Sequence, residues 1–371
     1  MNGFYWIYLV MFAFLLAYHK SECKETKVRL YYAACGFLIL MFAMQDYSVS
    51  GDNDEYMLQY GIIRDLPISE FLNHKFELGF VIINKLLANT FQSDRVLFVV
   101  MSVLVLVPFC VWMERESSHP MMALMSFVAV GIYFHAVVLW RQLCAMGILC
   151  FSLRYIRERK LLPFLGTVLL AMLFHKAAAV FLPLYVAYRL PVNKWLLIGA
   201  GVLCTAMAVL GGPIMRFINT YIYSYEEYFF GLDGGFTMLA VLWIFTLLVW
   251  WLMQHRLQEP KIKLLFLMML VSAMIQPVSF TFSNWCRIVL FYRLAMVMLI
   301  PELYETLFLH RENNKLLALL QKRMPKLYGF VDRNFEKKWF RGAVQAAMFT
   351  VLFAWYASEL DGAYYILAPV I

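Results

Sequence analysis

The sequence predicts an all-α protein that crosses a membrane many times, on three observations. Apolar side chains make up 63% of the 371 residues and charged ones only 15%. Mean hydropathy is +0.68. Apolar stretches recur from end to end, as in Gly3 to Tyr18, Arg29 to Met44, Val96 to Met113 and Phe236 to Met253. An ordinary soluble globule has about a quarter of its residues charged, which excludes that class. Stretches of this length fit the bilayer core as helices, not as barrel strands. Punctuating them at polar breaks gives about twelve spans in a single integral membrane domain, residues 1–371.

The elements follow in order. GFYWIYLVMFAFLLAY has no basic residue before it and no small-x-small site after it, so it reads as a retained helix rather than a signal peptide. Residues 46–93 form the first long outer loop, with GDNDEYMLQYGIIRD and KFELGF inside it, and Phe76 to Phe91 reads as a re-entrant or interfacial helix. WRQLCAMGIL opens the fifth span at Trp140. Leu161 to Arg189 reads as two short spans meeting at His175 and Lys176. Residues 214–235 form a second outer loop, and 304–341 a basic inner one whose LLALLQKRMPKLYGF fits a helix lying on anionic lipid.

With these breaks, 23 of the 32 Lys and Arg residues fall in alternate loops. That side is cytoplasmic by the positive-inside rule. The other face holds Asp52, Asp54, Glu55, Glu70, Glu77, Glu226, Glu227 and further carboxylates, and both termini lie on it. The seven cysteines sit mostly inside apolar runs, with no C-x-x-C pair. They point to neither a disulfide framework nor a metal site. No Walker or dinucleotide-binding motif occurs, so energy or activated sugar from a cytosolic nucleotide is not indicated, and no nucleic acid is an expected partner.

The informative residues are charges within oil. A charge at mid-membrane costs several kcal/mol and needs a partner, a watery cavity or a place near the surface. This orientation puts Arg141 and Gln142, His175 and Lys176, and Asn284, Arg287, Tyr292 and Arg293 toward the outer face. Arginine holds phosphate oxygens with a planar fork and keeps its charge, so Arg141, Arg287 and Arg293 suit a pyrophosphate at the membrane surface. An arginine at a helix end also snorkels to lipid, and Arg293 also suits an ion pair inside the bundle. His175 is either a general base or a hydrogen-bonded turn residue. Glu77 either brings a carboxylate into the cavity or complements a helix N-terminus. Asp52, Asp54 and Glu55 resemble hard-cation ligands, yet such short acidic runs are more often solvated loop, and no metal is expected. Tyr221, Tyr223, Tyr225, Tyr228, Phe229, Phe230, Tyr364 and Tyr365 fit an interfacial belt, with glycan stacking as a second role.

Asp54 and Tyr56, Glu77-Leu78-Gly79-Phe80, Arg141-Gln142, Phe174-His175, and Asn284 to Arg287 with Tyr292 and Pro301 together resemble the EpsG family, related to the Wzy-type bacterial polysaccharide polymerases. The likeness runs from about residue 40 to 370 through short motifs. It implies a bundle of the glycosyltransferase C type in the bacterial inner membrane, with its site facing outward. The implied reaction joins oligosaccharide repeat units carried on undecaprenyl pyrophosphate into an O-antigen, capsule or exopolysaccharide. The lipid pyrophosphate leaves, so no cofactor is implied, and a chain-length regulator is a candidate partner. His175, Glu77, Arg141 and Arg287 are then the catalytic candidates, and Asp54, Gln142, Asn284, Tyr292 and Arg293 the substrate-binding ones. Lys176 departs from the small polar residue usual after that histidine. Two rival readings are a transferase adding one sugar from a polyprenyl-phosphate donor and a lipid-linked oligosaccharide flippase. A flippase should show two related halves, and no internal repeat is evident.

Overall fold

The computed structural model describes residues 2–46, 51–91, 93–221, 235–309 and 314–362, and every regular element among them is helical. The chain divides into two compact units, one of Met1–Tyr155, Leu162–Ala179 and Lys337–Ile371, the other of Ile156–Leu161 and Val180–Glu336. Five helical segments among the described residues are long and apolar enough to cross a membrane, or six if one bent pair counts as a span. Several other apolar helices are shorter, and the helix opening at Trp140 carries Arg141, Arg154 and Arg157.

The first unit begins with α1 (Asn2–Lys20), α2 (Lys24–Ala43), α3 (Gly51–Asp65), α4 (Leu78–Thr90) and α5 (Arg95–Glu116). It continues through α6 (Pro120–Ala129), α7 (Ile132–Val138), α8 (Trp140–Arg157) and α9 (Leu161–Met172). The α2 face Tyr31, Ala34, Cys35, Leu38 and Phe42 recurs at helical spacing and is buried, and α2 packs on α5. Small Ala34 and Cys35 let the two backbones approach. Buried hydroxyls find carbonyls across helices: Tyr31 donates to Cys110 O at 2.6 Å and Tyr133 to Leu38 O at 2.9 Å. Helix α6 is buried from Met121 to Ala129, as expected of a helix apolar on every side but for Ser126, whose hydroxyl donates to Met122 O at 2.8 Å.

Helices α6 and α7 form the bent pair, at 65°. Gly131 sits at the bend with φ 81°, left-handed backbone that favours glycine. After α7 the chain breaks at Leu139 and restarts at Trp140, so Arg141 lies in the first turn of α8.

The second unit holds α10 (Leu182–Ala187), α11 (Lys194–Tyr221), α12 (Gly235–Leu252), α13 (Pro260–Ile275), α14 (Trp285–Arg293), α15 (Ala295–Leu309), α16 (Lys315–Arg323) and α17 (Pro325–Asn334). Helix α18 (Lys338–Gly362) belongs to the first unit and packs on α6. Helix α13 is the buried centre of the second unit, against α11, α12, α14 and α15. Leu162, Leu169, Trp195, Val209 and Ile244 are exposed, which suits helices that meet lipid rather than water.

Three sequence expectations are refined. The acidic run after Gly51 is not irregular loop: it opens α3, with Asp52 and Asp54 in the first turn, where negative charge suits the helix dipole. Leu161 to Arg189 is two short helical pieces, α9 and a 3-10 turn Lys176–Phe181 leading into α10, broken at residues 173–175. The basic inner segment is three helix starts rather than one, α16, α17 and α18. Most of the aromatic outer loop, residues 222–234, and Tyr364 and Tyr365 lie outside the described residues.

Candidate active site around Glu77

The residues 74–80, HKFELGF, build the site between α3 and α4. The His74 ring accepts the Phe76 amide on Nδ1 at 3.0 Å. That places its proton on Nε2, which donates to Gln59 Oε1 of α3 at 3.0 Å. Burial, with Lys75 and Arg141 nearby, lowers the proton affinity of His74, in keeping with this neutral form. The strap is thereby pinned to the buried face of α3, which Asn53, Tyr56, Gln59, Tyr60 and Ile63 form at helical spacing.

Glu77 is the residue before α4, with extended backbone. Two residues on, the Gly79 amide donates to Leu173 O at 2.8 Å. A Cβ on Gly79 would stand 2.8 Å from that same oxygen, so only glycine fits the start of α4 against the end of α9. This junction brings Glu77 to His175 and Lys176, where the 3-10 turn Lys176–Phe181 begins and leaves its first amide without a helix partner.

The Glu77 carboxylate divides its two oxygens. Oε2 accepts from Arg141 Nη1 at 2.5 Å. Oε1 accepts the Lys176 amide at 3.1 Å and faces His175 Nδ1 at 3.5 Å. The Glu77 side chain is 8% exposed, against 21% for Arg141 and 25% for His175. The carboxylate is therefore the floor, and the arginine and histidine are the more open rim. Burial pushes the Glu77 carboxyl up, but the His175 contact, Arg141 and the Lys176 amide outweigh it and hold it down to about 2.

Aromatic rings fix Arg141 from the other side. Its guanidinium lies 4.2 Å from the centre of Phe76 and 6.0 Å from that of Tyr56. Tyr56 stacks on Trp140 at 4.7 Å, and Trp140 is fully buried and donates to Val137 O. Tyr56, Phe76, Phe80 and Trp140 are all buried, so they hold the arginine rather than offer a surface to a sugar ring.

The remaining sequence candidates fall elsewhere. Gln142 is buried, its Nε2 3.8 Å from Met146 Sδ. Asp54 is exposed on α3. Asn284 and Arg287, half-buried at the start of α14, belong to the second unit. Tyr292 and Arg293 lie there too and are buried: Tyr292 donates to Val180 O, and Arg293 Nη1 lies 3.3 Å from Met238 Sδ. Gln142, Tyr292 and Arg293 are thus buried, each with a polar atom in contact with the fold. Phe76 was missed, although an aromatic beside Glu77 is a readable sign of a held cation. The Lys176 amide was also missed, because a backbone donor leaves no mark in sequence. Glu55 of the acidic run pairs with Lys75, and no group of three metal-ligating side chains occurs among the described residues.

The model of the EpsG family matches residues 28–321, well over half of the chain. No curated protein and no solved structure matches.

Proposed function

The chain belongs to the EpsG family, a family of Wzy-like polysaccharide polymerases, and from that premise we propose that it joins lipid-linked oligosaccharide repeat units into a bacterial surface polysaccharide. The observation that carries the reading within this chain is the open rim of Arg141 and His175 over the buried Glu77. The proposed setting is the outer face of the inner membrane. The shorter apolar helices then complete about twelve crossings of a glycosyltransferase C-like bundle.

In the proposed reaction an acceptor sugar hydroxyl attacks the anomeric carbon of a donor chain. The bond from that carbon to the pyrophosphate oxygen breaks, and undecaprenyl pyrophosphate leaves with the electron pair. Arg141 stabilises the charge gathering on the leaving phosphate. His175 takes the proton from the acceptor hydroxyl. A carboxyl held near 2 is too weak a base for that step, which favours His175 over Glu77. Arg287 in the second unit is a second candidate for phosphate contact, to be tested on its own. No nucleotide or metal is required by this chemistry.

The test compares lipid-linked and surface glycans from cells with the intact gene, without it, and with Arg141→Ala. Chain length is read on a gel, and leaflet by access to an external glycan-modifying enzyme. Single complete repeat units on the outer leaflet, with long chains gone, support the polymerase. Complete units held on the inner leaflet would mean a flippase, and units short by one sugar a single-sugar transferase.

A further inference from the structure

We infer that Glu77 is a positioning residue: its carboxylate holds Arg141 and the His175 imidazole as one assembly and fixes which ring nitrogen of His175 accepts the proton. The inference rests on the polymerase reading for its chemistry, but its geometry stands without it.

Three observations carry it. The carboxylate spends one oxygen on Arg141 Nη1 and presents the other to His175 Nδ1 and the Lys176 amide. It is also the most buried of the three side chains, so it lies beneath the groups it holds and has little access to substrate. Finally, Glu77 and His175 stand on the two segments that the Gly79 amide and Leu173 carbonyl lock together, so their spacing is set by backbone and not by flexible side chains.

The chemical consequence follows from imidazole having two unlike nitrogens. A carboxylate facing Nδ1 favours the tautomer with its proton there, which leaves Nε2 as the lone pair that takes a proton. Without that partner the ring divides between tautomers, and only one of them is a competent base. The same carboxylate shares the positive charge of Arg141, which moderates how tightly the guanidinium grips a phosphate. Glu77 therefore affects turnover and grip in opposite directions. Removing its charge slows the proton transfer and strengthens the hold on pyrophosphate. A residue needed only for folding would not separate the two.

The experiment uses the full chain in lipid nanodiscs with histidine nitrogens isotopically labelled, and undecaprenyl-pyrophosphate-linked repeat units as substrate. The His175 signals are identified by their loss in His175→Gln. The expected result is an Nδ1-protonated ring in the wild type and a mixture in Glu77→Gln. For Glu77→Gln, kcat should fall about 10²-fold, the scale of general-base catalysis, while KM for the donor stays level or drops. Glu77→Asp, which keeps the charge, should retain the tautomer and recover part of kcat. It also provides a decision should Glu77→Gln fold poorly. The inference is overturned if the wild-type ring carries its proton on Nε2, if Glu77→Gln leaves both tautomer and kcat unchanged, or if the loss lies wholly in a raised KM. A wild-type chain with the Nδ1-protonated ring that links no repeat units would overturn the polymerase reading and leave the positioning role standing.

Discussion

Arg141 in the first unit and Arg256 in the second each meet a buried carboxylate, and their surroundings differ. Arg256 commits all three guanidinium nitrogens. Nε reaches Glu259 at 2.9 Å, Nη2 reaches Glu302 at 2.7 Å and Glu259 at 3.1 Å, and Nη1 reaches Thr306 Oγ1 at 3.0 Å and the Glu302 carbonyl at 3.2 Å. Lys261 takes the second oxygen of Glu302, whose side chain is only 1% exposed. Every guanidinium nitrogen of Arg256 is thereby hydrogen-bonded inside the fold. Around Glu77 the carboxylate is also buried, at 8% exposed, and the arginine and histidine beside it remain part open. The difference teaches how to tell a brace from a site. Both contain ions in an apolar chain, but every guanidinium nitrogen of Arg256 is hydrogen-bonded, whereas Arg141 Nε is buried with no hydrogen-bond partner among the described residues.

The sharpest way to break this comparison is to remove each carboxylate or arginine and ask whether folding or chemistry fails. Glu302→Ala should have the largest effect, because it strands Arg256 and Lys261 without their shared partner. Unfolding of the purified chain should show a loss of about 3–5 kcal/mol, with little folded protein recovered. Arg141→Ala should cost less stability than Glu302→Ala, because Glu77 keeps the Lys176 amide and His175, while polymer formation falls about 10²- to 10³-fold, the scale of losing one charge-stabilising donor. If Arg141→Ala unfolds the protein as Glu302→Ala does, the two clusters are alike and the site reading fails.

Gly79→Val comes next. Its side chain would meet the Leu173 carbonyl and push the start of α4 away from α9. We expect a cost of about 1–3 kcal/mol from overpacking, with activity falling further than stability alone explains, because Glu77 moves with the strap. Activity measured below the unfolding range separates the two effects.

The smallest effect is one of pH. A carboxyl whose folded value is held down to about 2, below its ordinary 4.5, stabilises the fold fully above 4.5. That contribution fades as pH falls from 4.5 toward 2. Wild type should therefore lead Glu77→Gln in thermal stability at about pH 6, with the gap narrowing by about pH 3. A constant gap would mean that Glu77 is not ionised in the folded protein.

Much of the architecture was legible because hydropathy and length are direct records of helices in lipid. Helix α3 was not, since its buried face mixes Asn53 and Gln59 with Tyr56, Tyr60 and Ile63, and its acidic start resembles solvated loop. The site was legible residue by residue. Arg141, His175 and Glu77 stood out as ionisable groups bordering oil. Their pairing was hidden, because Glu77 and Arg141 are 64 residues apart, and Glu77 meets His175 across the junction at Gly79 and Leu173. Gln142, Tyr292 and Arg293 looked similar in sequence, and burial alone separates them from the rim.

The most direct test of the central claim uses the purified chain in lipid vesicles, supplied only with undecaprenyl-pyrophosphate-linked repeat units. Glycosidic bonds formed are counted against lipid pyrophosphate released. The account predicts longer chains with equal numbers of bonds and released carriers, without added nucleotide sugar or metal, and both products reduced about 10²- to 10³-fold with Arg141→Ala. Release without chain growth, or growth that needs a nucleotide sugar, would contradict it.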